Sequence, residues 1–139
     1  IYKMWYTGQA RGKSYIGYAV SNDGINFICV SEEPVMIAEY NWEKESVMNP
    51  CVIYDDGLYK MWYSAGETYE PNVNAYATST NGIEWKKAKC NPIFVCAPEN
   101  EYEQNRISFG TNKIKKQLQS ITKQIIAVVK YKNLKKGKV

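Results

Sequence analysis

The segment Tyr2-Lys3-Met4-Trp5-Tyr6-Thr7 returns 57 residues later as Tyr59-Lys60-Met61-Trp62-Tyr63-Ser64. Bulky side chains stand at consecutive positions, so they point to both faces of an extended chain. Large groups on both faces are typical of a strand in a sheet that is packed between other sheets. The segment therefore predicts a buried β-strand that occurs twice.

Further segments repeat in the same order along the chain. Residues 18–27 match residues 76–85 at an offset of 58, and Pro34-Val35 matches Pro92-Ile93 at the same offset. Trp42-Glu43 matches Tyr102-Glu103 at an offset of 60. Landmarks that keep one order and nearly one spacing indicate an internal repeat, with a period longer than the roughly 40 to 50 residues of WD40 and kelch repeats.

Turn residues divide each repeat into short strands. Asp23-Gly24 and Asn81-Gly82 are pairs that accept positive φ at both centres of a type I′ turn, so they predict two-residue hairpins. Asp55-Asp56-Gly57 predicts a similar turn. About four strands per repeat make a propeller blade. The predicted fold is all-β, a partial β-propeller of about two four-stranded blades; a β-sandwich is the alternative, but it does not require a sequence repeat.

The repeat ends before the C-terminus. Residues 111–139 hold nine Lys and no acid, whereas residues 1–110 hold nine basic and fourteen acidic residues. Apolar residues at helical spacing predict a helix over about 112–124, and residues 125–131 also fit a strand. The abrupt change also suggests the hypothesis of a non-native tail, from a shifted reading frame or a truncated gene. We divide the chain into a partial propeller domain, 1–110, and a basic, Lys-rich tail, 111–139.

Composition argues against several kinds of site. The 139 residues include no His, and the four Cys lack C-x-x-C spacing. Neither a zinc site nor His-dependent nucleophilic catalysis is expected, and we expect no metal and no cofactor. We expect buried free thiols, with a Cys90–Cys96 disulfide as the alternative.

The chain shows neither a membrane-spanning apolar run nor the residue order of a signal peptide. We therefore expect a cytoplasmic protein without membrane contact. The first residue is not Met and already lies within a strand pattern, which is consistent with a start partway through a longer gene product. A basic tail can contact nucleic acid, but solvated lysines are the favoured interpretation, and no nucleic acid partner is expected.

Residues 42–64 resemble a blade of the five-bladed propeller glycoside hydrolases, the broad group that includes families 32, 43 and 130. The likeness rests on the phrase Pro-x-Val-Ile, an acidic turn with Gly, and Tyr-x-Met-x-Tyr-Ser. Residues 18–27 and 76–85 are similar to the outer part of such blades, so the resemblance extends over about 1–108. It implies an axial funnel in which carboxylates from three blades cleave a glycosidic bond.

Three glutamates are candidate catalytic residues, because carboxylates supply the acid and base that glycoside cleavage requires. Glu43 and Glu103 occupy matching repeat positions, so a structural role in each blade fits them as well as a functional one. Glu45 has Asn105 as its repeat partner and lies just before an inner strand, which makes it the first candidate. A solvated loop carboxylate is the alternative interpretation of Glu45.

Three further residues are candidate substrate ligands. Asn49 stands where related blades often carry an acid before Pro, and it is interpreted as a ligand for a sugar hydroxyl or as a turn former. Arg106 can bind a carboxylate or phosphate on a substrate, or lie on the surface. Trp42 can stack on a sugar ring.

These features predict a fragment of a carbohydrate-active propeller protein, similar to glycoside hydrolases or glycan phosphorylases. When complete, it would act on glycosidic bonds by carboxylate acid/base chemistry. Two blades cannot supply carboxylates from three, so the chain is expected to be incomplete as an enzyme. The alternative is a non-catalytic propeller-like module that binds a glycan or a protein. The expected partner is an oligo- or polysaccharide, and open sheet edges are expected to allow self-association.

Overall fold

The described part of the chain folds into β-strands with one short 3₁₀ turn. The computed structural model describes residues 1–104, 106 and 107. The 3₁₀ turn, Asn41–Glu43, precedes the fourth strand. The predicted all-β fold class is confirmed. The strands of the described residues are, in chain order, β1 (Tyr2–Ala10), β2 (Lys13–Ser21), β3 (Ile28–Cys29), β4 (Ser46–Asp55), β5 (Leu58–Gly66), β6 (Pro71–Ser79), β7 (Lys86–Lys87) and β8 (Phe94–Val95).

The strands form two antiparallel sheets. Sheet 1 has the order β1-β2-β3, and sheet 2 has the order β4-β5-β6-β7, with β8 also paired to β6. Trp5 pairs with Tyr18 in sheet 1, and Trp62 pairs with Tyr76 in sheet 2. The matching segments therefore occupy the same register. Sheet 2 has the four sequential strands of a propeller blade and sheet 1 has three strands, as expected of partial propeller blades.

The core lies between the two sheets. Met61, Tyr63 and Ala65 alternate along β5 and are fully buried. Ile16 of β2 and Met36, which follows sheet 1, pack with them in one cluster. Because side chains alternate across a strand, this packing buries one face of β5 and leaves its other residues on the opposite face. The cluster is completed from sheet 2 by Val47, Val73, Ala75 and Ala77.

Two tight turns have the type I′ conformation. Asp56 and Gly57, with φ of 52° and 76°, join β4 to β5 where the sequence predicts a turn. Arg11 and Gly12, with φ of 54° and 76°, join β1 to β2 in the same way. The second turn is not evident from the sequence, since Arg is not a typical residue for its first position.

The two-residue hairpins predicted at Asp23-Gly24 and Asn81-Gly82 are wrong. β2 ends at Ser21 and β3 begins at Ile28, so a longer loop joins them. In each pair, Gly has positive φ and the preceding residue does not. The cause is a set of side-chain to backbone hydrogen bonds that fold the loop differently.

Ser21 and Asp23 supply these hydrogen bonds in sheet 1. Ser21 Oγ accepts a hydrogen bond from the N–H of Gly24 at 2.9 Å. Asp23 Oδ1 accepts hydrogen bonds from the N–H groups of Ile25 and Asn26, each at 2.8 Å. Side chains of this kind offer the backbone local partners and so compete with a tight hairpin turn.

Asn81 takes the place of Asp23 in the matching loop of sheet 2. Its Oδ1 accepts hydrogen bonds from the N–H groups of Ile83 and Glu84, each at 2.9 Å. In sheet 1 these hydrogen bonds lower the pKa of the Asp23 carboxyl well below its ordinary value. The backbone N–H of Asn26 has the largest effect. The two loops therefore share a geometry but differ in their response to acid.

The cysteines are free thiols and form no disulfide. Cys29 and Cys90 are exposed, and Cys51 and Cys96 are half-buried. The expectation of buried thiols is therefore wrong for Cys29 and Cys90. Cys29 is exposed because β3 is a two-residue strand at the edge of sheet 1.

The helix or strand predicted within residues 111–139 lies outside the described residues. Within the part of the chain that the structure describes, no helix has the length and apolar character needed to cross a membrane.

Replacing Asp23 with Asn is expected to make stability less sensitive to acid. The folded-state pKa of Asp23 lies below its unfolded value of about 3.9. Its charged form therefore stabilises the fold above that pH, and the contribution is lost as the pH falls toward the folded-state pKa. Urea unfolding between about pH 2 and pH 6 should show a smaller acid-induced fall in midpoint for Asp23→Asn than for the wild type.

The reciprocal change, Asn81→Asp, is the matched control. It introduces a titrating group into the same loop geometry, so the acid-induced fall in midpoint should become larger. Parallel midpoint curves for the wild type and both variants would contradict the assignment.

Candidate functional site

A buried carboxylate, that of Glu43, joins the segment after sheet 1 to sheet 2. The Glu43 side chain has no solvent exposure. Its Oε2 accepts hydrogen bonds from the N–H groups of Glu39 at 2.7 Å and Tyr40 at 3.0 Å. Its Oε1 accepts a hydrogen bond from the Tyr63 hydroxyl at 2.9 Å. Both oxygens are thus paired, as a buried carboxylate requires.

Lys87, on β7, supplies the positive charge of this network. Its Nζ lies 2.8 Å from Glu43 Oε2 and 3.0 Å from Glu39 Oε2. It also donates a hydrogen bond to the carbonyl oxygen of Ile37 at 2.7 Å. The three partners match the three donors of an ammonium group that is 5% exposed. The network therefore compensates the charge of the buried carboxylate.

The neighbouring tyrosine remains a hydrogen-bond donor at neutral pH. Burial, followed by the charge of the Glu43 carboxylate, raises the pKa of Tyr63 far above its ordinary value. A protonated hydroxyl suits a structural contact to a carboxylate.

Glu103 caps a second turn in a similar way. Its Oε2 accepts a hydrogen bond from the N–H of Ala97 at 3.0 Å, and its Oε1 accepts one from the Asn100 amide at 2.9 Å. It is half-buried. These contacts favour the structural interpretation of Glu43 and Glu103. Their catalytic assignment stays a prediction.

Glu45 lies in a cleft at the end of the sheets where β4 begins. It is exposed and directly precedes Ser46, the first residue of β4. The cleft has a volume of about 350 Å³. It is formed by the β1–β2 turn, the start of β4 and the β5–β6 loop, through Gly12, Glu45, Glu67, Thr68, Tyr69 and Glu70.

Buried hydroxyl groups join the three elements of the cleft. The N–H of Ser14 donates to Ser46 Oγ at 2.9 Å. The Ser46 and Thr68 hydroxyl groups are 2.7 Å apart, and the Thr68 hydroxyl donates to the carbonyl oxygen of Gly12. These contacts link the turn of sheet 1 to the loop of sheet 2 and hold the cleft in place.

The cleft is acidic and has one strongly exposed aromatic ring. The carboxylate of Glu67 pairs with Lys44 at 2.8 Å, while Glu45 and Glu70 also line the cleft. Tyr69 is 74% exposed. Carboxylates accept hydrogen bonds from hydroxyl groups, and an aromatic face can pack against the apolar face of a sugar ring. The arrangement suits a ligand with many hydroxyl groups.

The sequence pattern did not indicate three residues of the cleft, Glu67, Tyr69 and Glu70. The repeat offset changes from 57 in β5 to 58 in β6, which places one inserted residue in the loop between them. That change of offset is the signal that could have identified the loop, because functional residues are disproportionately found on loops.

The predicted substrate ligands do not line the cleft. Asn49 is exposed at an irregularity in β4, has φ of 53°, and donates its N–H to Thr7 Oγ1 at 2.9 Å. This geometry favours its interpretation as a turn former. Trp42 is half-buried and stacks on Tyr40 with ring centroids 5.7 Å apart, and Arg106 is exposed. Of the six predicted site residues, the structure brings Glu45 to the cleft.

Comparison with known proteins gives partial matches. No family profile matches the chain. It is 38% identical over 76 residues to a 1,2-beta-oligomannan phosphorylase from Thermoanaerobacter sp. (strain X514), covering 53% of this chain and 25% of that protein. It is 34% identical over 95 residues to uncharacterised proteins from two strains of Mycobacterium tuberculosis, covering 60% of this chain and 31% of each.

A crystal structure of a glycosyl hydrolase from Bacteroides ovatus matches with 31% identity and a TM-score of 0.49, covering 61% of this chain and 27% of that one. The matches to the curated relatives span 25% to 31% of their length. Over the matched part, the similarity to the phosphorylase confirms the predicted resemblance to the propeller glycoside hydrolases and related phosphorylases.

Replacing Glu43 with Ala is expected to destabilise the fold by about 3–5 kcal/mol, because the buried Lys87 ammonium would lose its enclosed partner. Urea unfolding measures the change. Glu39→Gln is the matched control, since it removes the partner of Lys87 that is 58% exposed. We expect it to cost about 1 kcal/mol or less. Equal losses of stability in the two variants would contradict the assignment of Glu43 as the main partner of the buried Lys87 ammonium.

Proposed function

We propose that this chain is part of a carbohydrate-active propeller protein and that the cleft beside Glu45 contributes to its glycan site. The observation that carries the proposal is the 38% identity over 76 residues to an oligomannan phosphorylase. The chemistry of the cleft supports it, since exposed carboxylates and the Tyr69 ring can meet the polar and apolar sides of a sugar.

Glu45 is the residue of this chain to which we assign a role in bond cleavage. Glycoside cleavage needs one carboxylic acid that protonates the leaving oxygen and a second carboxylate that acts at the sugar carbon. Such groups need access to the substrate, and Glu45 is exposed in a cleft. Glu43 is enclosed and bound by Tyr63 and Lys87. In the proposal, the other reactive carboxylates come from other blades.

The name of the phosphorylase suggests the first substrate class to test. We propose β-1,2-linked mannan oligosaccharides, cleaved by water or by inorganic phosphate. A phosphate co-substrate would need cationic groups, and the residues that line the cleft include no Lys or Arg. The phosphate-binding groups therefore belong to parts of the site beyond this cleft.

A non-catalytic module that binds a glycan or a protein is the second candidate. It is favoured by the contacts of Glu43 and Glu103, which cap turns in the manner of structural residues. Binding requires hydrogen-bond acceptors and an exposed ring but no reactive pair of carboxylates. Both candidate functions therefore use the same cleft, but only the enzyme is expected to cleave the glycan.

Calorimetric titration of the chain with β-1,2-linked mannan oligosaccharides tests the shared part of the proposal. Tyr69→Ala and Glu45→Gln are each expected to weaken binding about tenfold, the equivalent of one hydrogen bond or ring contact of roughly 1–1.5 kcal/mol. Glu84→Gln, an exposed carboxylate in the β6–β7 loop, is the control and should leave affinity unchanged. Equal affinity of all four proteins would place binding elsewhere.

Release of sugar from the same oligosaccharides, with and without inorganic phosphate, separates the two candidates when it is measured on a complete propeller protein that contains these two blades, because the proposal takes the other reactive carboxylates from other blades. Turnover that Glu45→Gln lowers by about 10²- to 10⁴-fold would support the catalytic assignment. Binding without turnover in the wild type would support the binding module. Failure to bind these and other glycans would contradict both.

A further inference from the structure

The hydroxyl groups beneath the cleft form a chain that begins and ends on the β1–β2 turn. At one end, the N–H of Ser14 donates to Ser46 Oγ, and at the other the Thr68 hydroxyl donates to the carbonyl oxygen of Gly12. Ser46 is fully buried and Thr68 is 6% exposed. The chain of hydrogen bonds therefore passes from sheet 1 through β4 and the β5–β6 loop of sheet 2 and returns to sheet 1.

The hydrogen atoms along this chain have a single order. A hydroxyl group has one hydrogen to donate, and a carbonyl oxygen can only accept. The Thr68 hydrogen is used on Gly12, so the Ser46 hydroxyl donates to Thr68 Oγ1 over 2.7 Å. Removing the Thr68 hydroxyl would leave a buried donor on Ser46 and a carbonyl acceptor on Gly12 without this partner.

The β5–β6 loop needs an anchor of this kind more than the β1–β2 turn does. The turn has two central residues, Arg11 and Gly12, whose positive φ angles define a type I′ conformation. The loop comprises residues 67–70 and leaves sheet 2 at Gly66, where φ is 136° and the pairing with β6 is irregular. Tight-turn geometry does not fix a loop of this length, so side-chain contacts decide its conformation.

Thr68 is the buried residue of the loop. Its neighbours Glu67, Tyr69 and Glu70 are exposed. The ion pair of Glu67 with Lys44 joins side chains that are 56% and 43% exposed, and exposed ion pairs restrain a loop weakly. Water competes little for the enclosed Thr68 hydroxyl. The contacts of Thr68 are therefore the stronger restraint on the loop.

We propose that Thr68 is a positioning residue for Tyr69, because its hydrogen bond to the Gly12 carbonyl holds the loop conformation that presents the Tyr69 ring to the cleft. This inference rests on the proposed function, in which the ring packs against a sugar. Tyr69 directly follows Thr68, so an anchored Thr68 restricts the positions that the ring can take. A loop that is ordered before the ligand arrives loses less conformational entropy on binding, which raises affinity.

Thr68 acts on the ligand through the ring. Its hydroxyl is already engaged by Ser46 and by the Gly12 carbonyl. The same chain reaches the other group of the proposed site, because Ser46 directly follows Glu45. Ser46 and Thr68 thus set the position of the Tyr69 ring relative to the Glu45 carboxylate. The glycan site is in this sense shared by two blades, with a ring from sheet 2 held by a carbonyl group of sheet 1.

Calorimetric titration with β-1,2-linked mannan oligosaccharides measures the effect on affinity. Thr68→Val replaces the hydroxyl with a methyl group of similar size and is expected to weaken binding about tenfold. Thr68→Ser keeps the hydroxyl and should bind within about threefold of the wild type. Thr78→Val makes the same change at a half-buried position near the opposite end of β6, and as the matched control it should leave affinity unchanged.

A double variant separates positioning from a general loss of stability. If Thr68 acts through the ring, Thr68→Val should have little effect once the ring is removed. Thr68→Val/Tyr69→Ala should then bind about tenfold more weakly than the wild type, as Tyr69→Ala alone does. Independent losses that multiply to about a hundredfold would overturn the proposal.

Backbone ¹⁵N relaxation of the chain without glycan tests the anchor directly. Order parameters of residues 67–70 are expected to be about 0.8 in the wild type, in Thr68→Ser and in Thr78→Val, and to fall below about 0.6 in Thr68→Val. Circular dichroism checks that each variant is folded. Unchanged order parameters in Thr68→Val would overturn the proposal even if the chain binds glycan. A wild type that binds no glycan would instead overturn the proposed function, and the order parameters would still decide whether Thr68 holds the loop.

Discussion

The path of the chain between the two sheets depends on the carboxylate of Glu43. This carboxylate can be buried only because other groups form hydrogen bonds and an ion pair with it. Taking the charge of Glu43 out of water is costly, and the cost is offset by backbone N–H groups, the Tyr63 hydroxyl and Lys87. These partners belong to the segment after sheet 1, to β5 and to β7. The contact therefore anchors the segment between the sheets to sheet 2, and the cleft at Glu45 begins two residues further along the chain.

The repeat places identical side chains in different surroundings. Tyr63 is fully buried and donates to Glu43, whereas Tyr6 is half-buried and contacts Cys29. The backbone pairing of the two strands is the same. What differs is the presence of a neighbouring sheet, because hydrophobic burial in a propeller comes from contact between blades. Among the described residues, Tyr63 therefore has the partners in the core that Tyr6 lacks.

Two carboxylates that are close in the chain, Glu43 and Glu45, differ in their access to solvent. Glu43 has both oxygens hydrogen-bonded and no exposure, so a ligand cannot reach it without opening the core. Glu45 is exposed beside Tyr69 and Glu70 in a cleft held by buried hydroxyl groups. The buried hydroxyl contacts beneath the cleft hold the accessible groups above it in fixed positions, as any binding site requires.

The sequence by itself determined the strands, their repeat and the turn at Asp56-Gly57, because side-chain alternation and turn preferences act over a few neighbouring residues. The loop at Asp23 could not be predicted in this way. The Asp23 side chain accepts hydrogen bonds from backbone groups, and a rule based on a pair of residues does not take these into account. Only the tertiary structure decided that Glu43 is buried and Glu45 accessible. Burial depends on partners far apart in the chain, and Lys87 lies 44 residues from the carboxylate that it neutralises.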